Sequence, residues 1–200
     1  MRNLELKARY ADLARGEQIA QSIGATFGGD LHQLDTYFYV PHGRLKLREI
    51  TPLPPRGGGV GGGELIFYQR PEDAPTRWSD YFTAPVSPTE SMRDVLTRAL
   101  GVRQQIEKTR RLYLYRGARI HLDRVTHVGN FIEFEVPISP PPQPLSQFGR
   151  GVGGEGDEMQ ARALMRELMQ AFGLNDTDAI TASYSELLEE TSNERRSSGD

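Results

Sequence analysis

The chain has 200 residues, of which 24 are lysine or arginine and 27 are aspartate or glutamate, giving a net charge of -3. This balance argues against a general nucleic-acid or membrane surface, because such partners require an excess of basic residues. The sequence contains no cysteine, which excludes thiol nucleophiles, disulfides and thiolate metal sites.

The length fits one domain, which we place at residues 1–190. The N-terminus leads directly into a charged segment, without an apolar signal segment, and no run is long enough to span a bilayer. Together with the lack of cysteine, this predicts a cytoplasmic protein.

Eight segments are rich in alternating, aromatic or β-branched residues and are predicted to be strands. They cover about residues 3–10, 33–40, 44–50, 63–70, 77–84, 107–115, 118–125 and 131–137. Helices are predicted at about residues 12–23, 88–100, 157–172 and 183–188. Asp12 caps the first helix, and Ser87, Pro88 and Glu90 form a capping box for the second.

Two stretches rich in proline and glycine, 52–63 and 139–156, are predicted to be flexible loops. The glycine run at 57–63 lacks the Gly-Lys-Ser/Thr ending of a phosphate-binding P-loop and leads into a strand, which favours a hairpin connection. The polar tail at 191–200 has too little apolar content to order itself and is predicted to be disordered.

Charged and aliphatic residues alternate along several of the predicted strands. The odd positions of segment 3–9 are polar and the even ones apolar, and segments 44–48, 119–123 and 133–136 show the same alternation. Successive strand side chains point to opposite faces, so each segment has an apolar face and an ionic face. A closed barrel with helices outside would cover the apolar faces and enclose the ionic ones. We therefore predict an α+β fold, an eight-stranded antiparallel β-barrel (tunnel) with helices packed on the outside.

The ionic faces carry both signs of charge. The basic positions are Lys7, Arg9, Arg44, Lys46, Arg48, Lys108, Arg110 and Arg119, and the acidic ones are Glu5, Asp35, Asp123, Glu133 and Glu135. Enclosed charges must be paired, hydrated or bound to a ligand. A triphosphate with Mg²⁺ or Mn²⁺ would satisfy both sets, since oxygen ligands suit these hard cations. The alternative is that these charged faces form a solvated surface, with ion pairs across neighbouring strands. His32 and His121 are interpreted as structural or surface residues.

Several short motifs run in chain order over residues 1–138 and return at 183–188. They are Asn3-Leu4-Glu5-Leu6-Lys7-Ala8-Arg9, Asp35-Thr36-Tyr37-Phe38, Leu45-Lys46-Leu47-Arg48-Glu49, Glu107-Lys108-Thr109-Arg110, Leu122-Asp123-Arg124-Val125 with Gly129-Asn130-Phe131-Ile132-Glu133-Phe134-Glu135, and Ser183-Tyr184-Ser185-Glu186-Leu187-Leu188. Together these motifs resemble the CYTH superfamily of triphosphate tunnel metalloenzymes, and class IV adenylyl cyclase-like members are nearest. The family also includes thiamine triphosphatases and inorganic tripolyphosphatases.

The resemblance implies a tunnel that binds a triphosphate together with Mg²⁺ or Mn²⁺. It implies catalytic roles for Lys7 and Glu5. The expected substrate-binding cations include the positions that match the family and further basic positions of the ionic faces. They are Arg9, Lys46, Arg48, Arg70, Lys108, Arg110 and Arg119. The expected metal ligands are Glu5, Asp123, Glu133 and Glu135. Asn3 stands where the family has a first glutamate, and Gln69 stands where many members have a lysine, so Arg70 is the candidate there.

Two reactions suit such a site: hydrolysis of a nucleoside, thiamine or inorganic triphosphate, which we favour, and cyclisation of ATP to cAMP and pyrophosphate. A module that binds polyphosphate or nucleotide without turnover is a further alternative. The expected partner is a small-molecule triphosphate rather than nucleic acid or a membrane, and a homodimer stays open.

Overall fold

The computed structural model describes residues 2–52, 62–69, 77–138 and 155–197. The strands in these ranges are β1 (Arg2–Arg9), β2 (Thr26–Phe38), β3 (Arg44–Pro52), β4 (Gly62–Gln69), β5 (Arg77–Val86), β6 (Val102–Tyr115), β7 (Ala118–Val125) and β8 (Gly129–Pro137). The helices are α1 (Leu13–Ser22), α2 (Thr89–Leu100), α3 (Glu155–Ala171) and α4 (Tyr184–Ser197), with a 3-10 turn at Asp176–Asp178.

The strands form one closed antiparallel barrel. Going around it, the order is β1, β5, β4, β3, β2, β6, β7 and β8. Strand β8 pairs with β1 from Asn3 opposite Pro137 to Arg9 opposite Phe131, and this pairing closes the ring. The predicted α+β barrel is therefore confirmed, and the closure removes the edge strands that an open sheet would leave unpaired.

The apolar faces of β1, β7 and β8 point outward and are covered by helices. Helices α1 and α3 pack there, and the buried residues of this core include Leu4, Leu6, Ile120, Phe134, Met165 and Leu168. Burying one such side chain contributes about 1.5–3 kcal/mol. The alternation along these strands thus places aliphatic residues under the helices and polar residues inside the barrel.

Helix α2 covers a second outer patch. Met92, Leu96 and Leu100 pack against Leu47 and its neighbours Phe38 and Val86. The predicted capping box at its start is wrong: Pro88 is the N-cap and makes no side-chain hydrogen bond to the helix. Asp12, by contrast, caps α1 as predicted, since its side chain accepts a hydrogen bond from the Arg15 amide.

Strand β2 begins at Thr26, seven residues earlier than residue 33 where the sequence predicted its start. The extra segment contains Gly28 and Gly29. The register of the pairing with β6 shifts between Phe27 and Gly29, and the two strands stay paired on both sides of the shift. Asp30 in this segment forms a two-point ion pair with Arg111 of β6, at 2.7 and 2.9 Å. The glycines therefore form a bulge within the strand instead of ending it.

The C-terminal helix is longer than predicted. It continues to Ser197 instead of ending at Leu188, so the prediction of disorder for 191–200 is wrong over the helical residues 191–197. The good helix formers of this segment are Glu194, Arg195 and Arg196, and the hydroxyls of Thr191 and Ser192 donate to the Leu187 and Leu188 carbonyls of the preceding turn. In the described part of the chain, no helix is both long and apolar enough to cross a membrane.

The predicted loops at 52–63 and 139–156 lie mainly outside the described residues, and parts of their ends belong to β3, β4 and α3. Gly63 is in β4, where an added Cβ would lie 2.6 Å from the Arg48 carbonyl oxygen and 2.3 Å from Thr89 Cγ2. This glycine therefore allows β3, β4 and the start of α2 to approach closely.

Candidate functional site

The ionic faces of the strands line one cavity of about 520 Å³ inside the barrel. Among the residues that the structure describes, its cationic side chains are Lys7, Lys46, Arg48, Lys108, Arg110 and Arg119. The carboxylates lining it, within the same described ranges, are Glu5, Asp35, Glu64, Glu133 and Glu135. The residues come from strands far apart in sequence, and barrel closure brings them together.

One group of charges centres on Asp35 of β2. Arg48 lies directly opposite it on β3 and binds it through two hydrogen bonds, from Nε to Oδ1 at 2.7 Å and from Nη2 to Oδ2 at 2.8 Å. Lys46 Nζ donates to Asp35 Oδ2 at 2.8 Å. Burial acts to raise the pKa of the Asp35 carboxyl, but Arg48 and Lys46 hold it well below its usual range. Asp35 therefore stays ionised and fixes two cations at the cavity wall.

A second group centres on Asp123 of β7. Arg110 binds it through hydrogen bonds of 2.7 and 2.6 Å, and Lys108 Nζ donates to it at 3.2 Å. Burial opposes ionisation, yet Arg110 and Lys108 lower the pKa of Asp123 to about 2. Burial, with Arg110 beside it, lowers the pKa of Lys108 to about 8. Asp123 thus holds its cations in place much as Asp35 does.

The third group contains His121, Glu133 and Glu135, one ligand atom of each lying within 4.8 Å of the others. The register of β7 and β8 creates it, since His121 pairs with Glu133 and Arg119 with Glu135. Arg110 Nη2 donates to Glu133 Oε2 at 2.7 Å, and Arg119 Nε donates to Glu135 Oε2 at 2.8 Å. Burial acts to raise the pKa of Glu135, but the positive charges of a protonated His121 and of Arg119 lower it to about 2.

This third group fits a divalent cation. Two ionised carboxylates and a buried imidazole, whose Nδ1 has no hydrogen-bond partner in the described part of the chain, supply oxygen and nitrogen ligands of the kinds that such ions use. Burial and the nearby Arg110 lower the pKa of His121, which favours the neutral ring, the form that binds metals. The structure thus offers Glu133, Glu135 and His121 as candidate ligands.

The residues of the first motif lie on β1 beside this group. Glu5 lines the cavity opposite Glu135, and Lys7 lies opposite Glu133. Lys7 Nζ donates to the Ala182 carbonyl and lies 4.6 Å from the centre of the Tyr184 ring. The Asn3 side-chain oxygen accepts a hydrogen bond from the Tyr81 hydroxyl at 3.3 Å.

The start of α4 packs across one end of the barrel. Tyr184 donates to Asp123 Oδ2 at 3.1 Å, and its ring lies beside Lys7 and, at 4.9 Å, Lys108. Leu187 joins Tyr184 in an apolar cluster with Tyr37, Tyr68 and Phe131 of the strands. Glu186 accepts from the Ser183 amide at 2.6 Å and pairs with Arg44 of β3. The aromatic residues of this cluster, Tyr37, Tyr68, Phe131 and Tyr184, therefore form an aromatic floor at this end of the cavity.

Most of the predicted site residues meet in the cavity. Those lining it are Glu5, Lys7, Lys46, Arg48, Lys108, Arg110, Arg119, Glu133 and Glu135. Asp123 lies behind this lining, fully buried among its cations. Arg9 is exposed beyond the floor, where it donates to the Val128 carbonyl at 3.2 Å. Arg70 lies outside the described residues.

Sequence reasoning missed His121, Glu64 and Tyr184. His121 was interpreted as structural or surface because no second histidine is near it in sequence, but its partners are carboxylates on the next strand. Its position in phase with Arg119 and Asp123 is a signal that could have found it. Glu64 lies opposite Arg48 and is in phase with the polar face of β4.

Comparisons with known proteins extend this picture. The CYTH domain family matches residues 1–150. No curated protein is a significant match to the chain in sequence. The PH1012 protein of Pyrococcus horikoshii superimposes with a TM-score of 0.71 at 20% identity, over 93% of this chain and 99% of that one. A candidate adenylate cyclase from Vibrio parahaemolyticus gives 0.70 at 20% identity, over 94% and 97% of the two chains.

A more distant structure is HpAC1 from Hippeastrum, a candidate adenylyl cyclase with a dominant triphosphatase activity. Its TM-score is 0.57 at 9% identity, over 94% of this chain and 95% of that one. At such identities the solved structures establish a common fold, whereas the family match covers most of the sequence. By that match and by its closed eight-stranded barrel, the chain belongs to the CYTH family.

Proposed function

We propose that the protein is a metal-dependent phosphohydrolase that binds a triphosphate-containing substrate in the barrel cavity. The observation that carries the proposal is the enclosure of cations from β1, β3, β6 and β7 with carboxylates from β1, β2, β4 and β8 in one space. Enclosing so many charges is costly unless they are paired or bound to a ligand, and the cations that Asp35 and Asp123 hold still line the cavity, where a ligand can reach them.

The charges of the cavity favour a triphosphate that carries divalent cations over a bare one. Within the described residues, the six cations of the lining exceed its carboxylates by one. A bare triphosphate brings several negative charges and would leave this space strongly negative. Divalent cations held by Glu133, Glu135 and His121 would restore the balance.

The basic residues would bind and orient the phosphoryl groups. Arg48 and Arg110 are fixed by Asp35 and Asp123 through Nε and Nη2, so that Nη1 of each would donate to the phosphoryl oxygens. Lys7 and Lys108 contribute point charges near the floor. A bound divalent cation would supply charge stabilisation during in-line attack by water. We assign Glu5 to the same acidic side of the cavity, opposite Glu135.

Cyclisation of ATP is the second candidate, and the fold shared with the Vibrio parahaemolyticus candidate cyclase favours it. Both reactions need the same triphosphate-binding cations and differ in the phosphorus attacked. The dominant triphosphatase activity of HpAC1, also a candidate cyclase, supports hydrolysis as the first choice. A cytoplasmic location and a homodimer stay predictions.

The test is to incubate the purified protein with ATP, tripolyphosphate or thiamine triphosphate, with Mg²⁺ or Mn²⁺, and to separate the products. We expect orthophosphate from at least one substrate and none in EDTA. Formation of cAMP and pyrophosphate from ATP would establish the cyclase instead. Binding that persists in EDTA, without product at any metal concentration, would establish a module that binds without turnover.

A further inference from the structure

His121 is a buried side chain with an unused ligand atom inside the cavity. The residue is 3% exposed, and its Nδ1 has no hydrogen-bond partner among the described residues. Leaving a buried polar atom unpaired destabilises a protein, so such an atom is expected to have a use. Nδ1 faces the two carboxylates of β8, 3.8 Å from Glu133 Oε2 and 3.6 Å from Glu135 Oε1.

These separations are longer than hydrogen bonds but close to those of atoms that share a metal ion. Metal–ligand bonds of about 2.1 Å separate neighbouring ligands by about 3.0–3.6 Å, according to the angle at the ion. The observed distances of 3.6 and 3.8 Å lie at or just above this range. The ligand atoms of all three groups lie within 4.8 Å of one another, so an ion that binds all three would draw them closer together.

Two arginines hold the carboxylates in position from the side. Arg110 Nη2 binds Glu133 Oε2, and Arg119 binds Glu135 Oε2 through Nε and Nη2 at 2.8 and 2.6 Å. Glu135 Oε1 is the oxygen that lies nearer to the imidazole. Such supporting hydrogen bonds orient metal ligands in proteins.

We propose that His121 is a nitrogen ligand of the cation site formed with Glu133 and Glu135, and that it makes this site prefer Mn²⁺ to Mg²⁺. The inference rests on the proposed function in one respect, namely that His121, Glu133 and Glu135 form its cation site. Carboxylates suit both Mg²⁺ and Mn²⁺, but Mg²⁺ takes oxygen ligands almost exclusively, whereas Mn²⁺, a first-row transition ion, also accepts an imidazole nitrogen. One nitrogen among the ligands therefore shifts the preference toward Mn²⁺ without excluding Mg²⁺.

The test measures metal binding without substrate, so it does not depend on turnover. Mn²⁺ is added to the wild-type protein, and pulsed electron paramagnetic resonance is used to detect a directly coordinated ¹⁴N nucleus. Calorimetric titrations give the dissociation constants of Mn²⁺ and Mg²⁺ for the wild type and for His121→Asn. His32→Asn is the matched control, because His32 is half exposed and pairs with Glu107 away from the cavity lining.

We expect the ¹⁴N signal in the wild type and the control, and its loss in His121→Asn. The Mn²⁺ over Mg²⁺ preference should fall about tenfold in that variant, since an amide oxygen replaces the imidazole nitrogen. Absence of the ¹⁴N signal, or an unchanged preference, would overturn the inference, as would a wild type that binds no Mn²⁺. Triphosphate hydrolysis in Mg²⁺ would still decide the proposed function separately.

Discussion

Arg48 forms an ion pair with Asp35 and also lines the cavity in which the proposed substrate would bind. Arg48→Ala should weaken triphosphate binding by about 1.5–3 kcal/mol, the value of a charged hydrogen bond. The measurement is KM for the preferred triphosphate, which should rise at least tenfold. Arg9→Ala is the control, since Arg9 lies outside the lining, and an equal effect in both variants would contradict the assignment.

Asp35 should matter for stability as well as for holding Lys46 and Arg48 at the cavity wall. Asp35→Asn leaves Lys46 and Arg48 without their counter-ion in a buried place, which should cost about 3–5 kcal/mol in urea unfolding. Asp30→Asn is a matched control, because Asp30 is on the same strand and makes a similar two-point contact to the half-exposed Arg111. That pair should contribute only about 0–1 kcal/mol. Equal losses of unfolding free energy in the two variants would show that burial does not increase the contribution of the Asp35 ion pairs to stability.

Glu135→Gln tests the acidic side of the cavity. The amide keeps the shape of the side chain but removes the charge that the cation site requires, so metal-dependent turnover should fall at least about 100-fold. The melting temperature should fall, because Arg119 loses its counter-ion, but the barrel should remain folded at the assay temperature. Glu107→Gln, a change at an exposed carboxylate that pairs with His32, should leave both properties unchanged. Unaltered turnover at saturating Mg²⁺ would remove Glu135 from the site.

At the scale of elements, the alternation of residue types was enough to predict the strands, because a period of two is a property of neighbouring residues. The prediction at Thr26–Asp30 failed because Gly28 and Gly29 resemble a turn, and only the partner strand β6 shows that they form a bulge. The capping box at Ser87 failed for a related reason: the local pattern is present, but the chain places Pro88 at the cap.

Helix α4 begins with Tyr184 and Leu187, which pack on the barrel, and continues to Ser192 and Asn193, which are exposed. Leu187 is buried in the aromatic floor, so Leu187→Ala should cost about 2–5 kcal/mol in urea unfolding. Removing residues 191–200 should cost about 1 kcal/mol or less, because Thr191 is half buried and Ser192 and Asn193 are exposed. A deletion that destabilises as much as Leu187→Ala would mean that the polar end of the helix contributes to the fold.

At the scale of the whole molecule, the sequence could predict that the ionic faces share an interior but not which charges meet. Asp35 and Arg48 belong to neighbouring strands, and their pairing follows from the register. His121 faces carboxylates because β7 and β8 align it with Glu133, and Tyr184 reaches Asp123 only because α4 crosses the end of the barrel. Such contacts depend on closure and register, which no local pattern in the sequence determines.

The enclosed carboxylates should make the whole protein sensitive to acid. The pKa values of Asp123 and Glu135 are both about 2 in the folded protein, below the ordinary values of 3.8 and 4.5 that apply to the unfolded chain. Below pH 4.5 the unfolded chain therefore binds more protons than the folded one. The stabilisation that these two carboxylates contribute falls as the pH falls and is lost below about pH 2.

Melting temperatures measured from pH 6 to pH 2.5 should show this loss beginning near pH 4.5. Asp123→Asn should start from a lower melting temperature, because Lys108 and Arg110 lose their counter-ion, and should then fall less steeply with acid, because one of the titrating groups is gone. A wild-type melting temperature that stayed constant down to pH 2.5 would mean that the charges do not stabilise the barrel through ionised carboxylates.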